Sequence, residues 1–448
     1  MRAGGRIAVS LALAAYLAVA GGKARAESEM IDRLGDDLAY LAEGVDLVLD
    51  MTGLAYFHDL NGDLDGLEGG ASLRAEFIGP LLDNWEIAFV PELHVHSEDY
   101  IDYDFRIDGR GLDRPFLNVG EFWLRRYEGP VSFTVGKQIF SWGQADLYNP
   151  TDDLNASDRL DPPEAFKLAD PAVAVKVATT DFGAEAVLLP WFVPDRLPGE
   201  DNRFTRPLDG NGAPPGTQFV AGERNFPKGA SALQYGLRVS SSTLADGWDL
   251  SASAFRGVSK TPIVLPTPVA PGVVALDSFF ARYVELGAGF STIFEEIEFH
   301  GEAAWHISDK SDEDDDYVSM VAGLRKSWSD LGMDDLEEIQ LTVEYAREDV
   351  TRSIDSGTPF LQSSFDRTFV NSILGQIDLK FDDDTKFVGS GALNLDDLDG
   401  AMDAYLDHKI NDTLMLRVGA QFFFGPSDSF FGVWRNNDRL YFNLKVFQ

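Results

Sequence analysis

The chain has 448 residues, with 74 Asp and Glu against 37 Lys and Arg, and a formal charge of −37. That acidity excludes binding to nucleic acid through its phosphates, and adhesion to anionic membrane surfaces unless positive charge is segregated. With no cysteine, disulfides, thiolate metal sites and thiol nucleophiles drop out together.

Arg2 and Arg6 precede an apolar run, Ile7 to Ala20, and Ala24-Arg25-Ala26 supplies the small-x-small pattern a signal peptidase needs. A signal peptide over 1–26 is predicted, cleaved after Ala26. No cysteine follows, which excludes lipoprotein processing. The leader carries four of the basic residues and none of the acidic ones, so the exported chain is more acidic still. Next, Met30, Leu34, Leu38 and Leu41 share one stripe at helical spacing, predicting a short helix over 27–44 at the periplasmic side, in the barrel mouth or on its rim.

From Val45 the period changes to two. Leu47, Leu49 and Met51 alternate with Asp46, Val48 and Asp50. Trp85, Ile87, Phe89, Leu93 and Val95 alternate with Glu86, Glu92, His94 and His96, with Pro91 interrupting. Val131, Phe133 and Val135 alternate with Ser132, Thr134 and Gly136; near the end Leu440, Phe442, Leu444 and Val446 alternate with Tyr441, Asn443 and Lys445. No later segment is apolar over the roughly 20 residues a spanning helix requires. Hydrocarbon leaves only helices and closed barrels as spanning solutions, so the pattern predicts an all-β transmembrane antiparallel up-and-down barrel over 45–448.

Connection lengths carry the stronger signal. Brief polar turns are read at Gly79–Asn84, Glu128–Pro130, Thr180–Asp181, Ser242–Gly247, Thr292–Glu295, Ser329–Asp335, Asp382–Asp384 and Asn411–Asp412. Longer loops fall between them: Ser97–Pro115, Ser141–Pro171, Trp191–Gly229, Val258–Asp277, Ser308–Asp316, Asp349–Asp366 and Gly425–Arg435, with modest ones at Asp59–Leu67 and Asp396–Gly400. Short periplasmic turns and long external loops give this rhythm. About 18 strands result, or 16 if the two weakest, Ala172–Thr179 and Gly400–Ile410, fail. Tyr127, Trp305, Trp328 and Phe424, among many aromatics near strand ends, suit interfacial girdles.

The stretch Gly136-Lys137-Gln138, Trp142-Gly143, Asp146 and then Asn149-Pro150-Thr151-Asp152 resembles the G-[RK]-Q…W-G-x-x-D element, followed by N-P-x-D, of porin-like and alginate-export-like barrels of Gram-negative outer membranes. Leu189 to Pro198 is similar to the strand-to-loop segment that follows it there. The resemblance covers about Val135 to Pro198 and implies an outer-membrane barrel, not a particular solute. Such barrels end on an aromatic residue; here the last is the penultimate Phe447, on the polar face of the register.

The acidic, proline-stiffened Ser141–Pro171 loop is the first candidate for function. Asp146, Asp152, Asp153, Asp158 and Asp161 either fold inward to line a constriction or stay solvated outside. Arg74, Lys137, Arg238, Arg256, Arg282 and Arg325 lie within alternating segments and are expected to face the lumen, because an Arg at the lipid midplane costs about 2–4 kcal/mol. There they would either set up a field across the pore or serve as buttressing salt bridges. His94 and His96 share a strand face, but no third ligand accompanies them. Ser311 to Asp316 lack the Gly and closing Glu of an EF-hand loop. No metal, cofactor or catalytic constellation is expected, since no G-x-S-x-G, H-E-x-x-H or P-loop pattern occurs.

The expected function is a channel passing ions or small hydrophilic solutes, preferring cations. The alternatives are a barrel exporting a lipid or polysaccharide supplied by periplasmic partners, and a structural or adhesive surface barrel. Expected partners are outer-membrane lipid and lipopolysaccharide, the barrel-assembly machinery and, at the 27–44 helix, a periplasmic protein.

Overall fold

The computed structural model describes residues 45–58, 66–97, 101–103, 109–199, 202–205, 216–329, 332–333, 335–354, 361–362 and 367–448. The predicted leader and the 27–44 helix lie outside these residues.

Eighteen antiparallel strands form the wall: β1 Asp46–Tyr56, β2 Leu67–Leu82, β3 Trp85–His96, β4 Leu117–Glu128, β5 Val131–Gln138, β6 Asp170–Ala178, β7 Phe182–Leu189, β8 Gln234–Ala245 and β9 Trp248–Val258. They continue as β10 Arg282–Phe294, β11 Ile297–Ser308, β12 Asp316–Ser329, β13 Glu338–Arg352, β14 Asn371–Lys380, β15 Thr385–Asn394, β16 Asp399–Asn411, β17 Leu414–Phe424 and β18 Arg439–Phe447. Each pairs with its neighbour in sequence. The last closes on the first, with Val48 opposite Phe447 and Tyr56 opposite Arg439. Closure removes the free edge that lipid would leave unsatisfied. Both strands judged weakest are present, and the short and long connections fall where the turn residues place them.

The outward face is apolar along the strands. Phe133, Val135, Tyr235, Leu237, Leu406 and Phe442 are large, hydrophobic and exposed. A continuous belt of such side chains is stable against lipid rather than water. Among the described residues no helix is long and apolar enough to cross a membrane. Tyr127, Trp305, Trp328 and Phe424 are exposed, whereas Trp142, Phe192, Phe423 and Trp434 are buried among loops. Aromatic content therefore divides between the belt and the packing inside it.

Two irregularities interrupt the regular wall near β3–β5. Pro91 cannot donate to the ladder, and the register of β3 on β4 shifts between Phe89 and Pro91. Gly136 has φ +132°, and a Cβ there would sit 2.2 Å from the Phe122 carbonyl oxygen. Only glycine fits, and the alternation of β5 breaks at this point: Val135 faces lipid while Lys137 lines the interior.

Candidate functional site

Beyond Gln138 the chain leaves the wall and folds into the barrel. The Trp142 ring is 1% exposed and packs edge-on to Phe255 of β9. Its Nε1–H donates to Glu185 of β7 at 2.9 Å. Close approach is permitted by glycines on the inner face: a Cβ at Gly236 would lie 2.8 Å from Trp142, and one at Gly287 2.8 Å from Thr151.

Two buried wall carboxylates then hold the loop backbone. Glu302 of β11 accepts the N–H groups of Gln144 and Ala145, and the Thr151 hydroxyl at 2.8 Å. Glu344 of β13 accepts the N–H groups of Asp146 (2.8 Å), Leu147 (3.0 Å) and Tyr148 (3.0 Å). Three successive N–H groups converging on one carboxylate make a charge-assisted nest. His300 of β11 lies beside it, its Nε2 2.9 Å from Glu344 and its Nδ1 3.9 Å from Asp146. Arg325 of β12 ties Asp146 (2.8 Å) to Glu298.

The loop's far half is fixed as firmly. Asp158 is fully buried between Arg114 (3.0 Å) and Arg196 (3.1 Å). Burial alone would raise its carboxyl, but the two guanidinium groups outweigh it and hold the group below the usual carboxylate range. Asp161 takes two hydrogen bonds from Arg439 of β18, at 2.8 and 2.9 Å; Arg439 also reaches Gln421 and Tyr56. Asp152 pairs with Lys167 and accepts the Trp142 N–H at 3.1 Å, and Asp153 shares a hydrogen bond with Glu285 of β10. Of the five acids, only Asp161 borders the principal cavity.

That cavity, about 720 Å³, lies between the loop and the wall of β1–β5, β17 and β18. Arg74, Arg114, Lys137, Lys167, Arg417 and Lys445 line it, as do Asp50, Glu76, Glu92, Glu121, Asp161 and Glu164. Apart from His94 and His96, which also line it, its basic and acidic side chains are thus equal in number. Phe447 borders it too, on the inner face as the register implies.

Of the expected lumen cations, Arg74 lines this cavity paired with Glu76 at 2.7 Å, and Lys137 donates to the Val119 carbonyl. Arg325 joins the loop. Arg238 stands opposite Glu185 in register and alternates with the lipid-facing Leu237. Arg256 and Arg282 differ from expectation. Their neighbours Phe255 and Tyr283 pack inward with Trp142, so alternation turns both arginines outward. They sit at the loop ends of β9 and β10, where both meet Asp309 and Arg282 also donates to the Ser231 carbonyl at 2.9 Å. Their charge stays at the rim, so the midplane penalty does not arise.

Glu302, Glu344, His300 and Asn155 were not legible as site residues. Asn155 bonds Gln138, Phe140 and Leu168 and closes the base of the loop. The wall residues lie 150 to 200 positions from their loop partners, and an inward polar side chain is ordinary in any barrel strand. The family-like element acquires a physical meaning here. Gly136 turns the chain off the wall, Trp142 wedges under it, and Gly143 makes room for Asn149, which a Cβ would meet at 1.9 Å.

No family model matches the chain, and no curated protein matches it. Among solved structures it is similar to a BenF-like porin from Pseudomonas fluorescens Pf-5, with TM-score 0.51, 8% identity, and 90% of this chain and 97% of that one covered. It is also similar to Pseudomonas aeruginosa OccK11 (OpdR), with TM-score 0.48, 9% identity and 91% and 97% covered. For OccK8 (OprE) of the same organism the values are 0.47, 12%, 90% and 96%. At these identities the likeness to the BenF-like porin supports the fold.

Proposed function

We propose that the chain, whose closed eighteen-stranded wall and apolar outer belt are the architecture of a Gram-negative outer-membrane barrel, is a channel, not an enzyme, for the passive passage of ions and small hydrophilic solutes, with a preference for cations. The observation that carries this reading is the charged cavity between the inward loop and the wall. Its lining replaces the hydration of a polar solute, and the loop narrows the path beside it.

The cation preference rests on the wider charge distribution, because the cavity itself is balanced. Arg114, Lys167 and Arg417 are committed to Asp158, Asp152 and Asp407. The chain as a whole carries twice as many acids as bases. A negative field of that kind concentrates small cations and weakens as salt rises.

Purified protein in planar bilayers under a KCl gradient tests both parts. Discrete conductance steps with a reversal potential of cation-selective sign are expected, the selectivity falling at high salt. Absent conductance contradicts the channel; an anion-selective reversal contradicts the preference.

A further inference from the structure

The contacts around His300 contain something that loop anchoring does not explain. The imidazole is 1% exposed on the inner face of β11, in space kept open by Gly323, where a Cβ would lie 2.6 Å from Nε2. Its Nε2 faces a Glu344 oxygen that already accepts two backbone N–H groups. That oxygen has no proton to give, so the imidazole donates, and in the neutral ring the hydrogen sits on Nε2. Nδ1 then carries a lone pair. It has no hydrogen-bond partner and points toward Asp146 Oδ2 across 3.9 Å. A lone pair and a carboxylate oxygen facing each other over a gap repel unless a proton or a metal cation lies between them.

The local charge agrees. Asp146, Glu298 and Glu344 are offset by Arg325 alone. With His300 neutral, two negative charges remain, the complement of a divalent ion. The donor types agree as well. Imidazole nitrogen and carboxylate oxygen suit zinc and similar divalent metals, whose bonds of about 2.0–2.2 Å set adjacent ligands of a tetrahedral ion about 3.3–3.6 Å apart, so the two atoms, 3.9 Å apart, need close by only a few tenths of an ångström. A ligating histidine usually donates its other N–H to a carboxylate, which is what Nε2 does toward Glu344. Ligand atoms of Asp146, His300 and Glu344 all lie within 4.8 Å of one another.

We propose that His300 Nδ1 and Asp146 Oδ2, oriented by Glu344, bind one divalent transition-metal ion of the zinc type, with water filling the remaining positions. The ion ties the inward loop, through Asp146, to the wall. Asp146 keeps its other oxygen on Arg325, so binding needs no rearrangement of that pair.

The full chain, stripped with chelator and held in detergent, is titrated with Zn²⁺ by calorimetry, with Co²⁺ absorption as a second probe. One site is expected. Asp146→Asn and His300→Gln are each expected to weaken it about tenfold or more, while the double variant His94→Gln/His96→Gln leaves it unchanged. Heat-modifiable gel migration confirms folding, and if His300→Gln misfolds, Asp146→Asn on the loop carries the test. No stoichiometric binding, or equal affinity in Asp146→Asn, overturns the proposal and leaves His300 as an imidazolium bridging two carboxylates. Binding is read without conductance, so its failure leaves the channel reading standing.

Discussion

Replacing Glu344 by Leu is expected to loosen the inward loop, raising single-channel conductance and current noise and lowering the unfolding temperature. Glu344 is fully buried, and its carboxylate is the acceptor for three successive loop N–H groups and for His300. Hydrogen bonds to charged groups contribute about 1.5–3 kcal/mol each. Loop N–H groups released into the lumen regain water, so a net loss of about 3 kcal/mol is expected, not the sum. Glu344→Gln keeps one acceptor oxygen and should fall between wild type and Leu. Conductance traces and heat-modifiable migration read the two effects separately. Wild-type conductance and noise in Glu344→Leu would show that the loop is held by its other contacts.

At the other end of the loop, Asp158→Ala is expected to destabilise the barrel by about 3–5 kcal/mol, because it strands two guanidinium groups around a buried vacancy. Asp158 is fully buried, and Arg196 nearly so. The pH dependence has a fixed sign. The Asp158 carboxyl is held below its ordinary range in the folded protein. Its contribution is therefore complete above the unfolded value of about 4 and is lost as pH falls through the lower folded value. Asp158→Asn should lose stability at neutral pH and show a flatter acid limb in urea titrations between about pH 6 and 2. An acid limb identical to wild type would mean that the ion triad does not set the acid stability.

The wall was legible because its signal is local. Alternation in Leu440 to Val446, a turn at Asn411–Asp412 and a loop at Gly425–Arg435 each sit within a dozen residues, and lipid imposes the same rule on every strand. Gly136 to Asp152 stood out in the sequence only by its resemblance to a family element; its positive-φ glycine and buried tryptophan are known from the structure. The anchors were not legible. Glu302 and Glu344 read as ordinary inward polar positions until the loop is laid against them. Arg256 and Arg282 were misplaced for a related reason: an arginine in an alternating segment avoids lipid either by facing inward or by sitting at the rim, and the sequence does not say how far along the strand the membrane ends.

Successive residues of each strand face lipid and water in turn. The native chain contains no cysteine, so single cysteines can be placed without background. Introduced one at a time from Leu440 to Lys445 of β18 in intact outer membranes, they are challenged with a small water-soluble maleimide. Labelling is expected at Tyr441, Asn443 and Lys445, and protection at Leu440, Phe442 and Leu444. Uniform labelling, or protection with a period near 3.6 residues as in a helix, would contradict the claim.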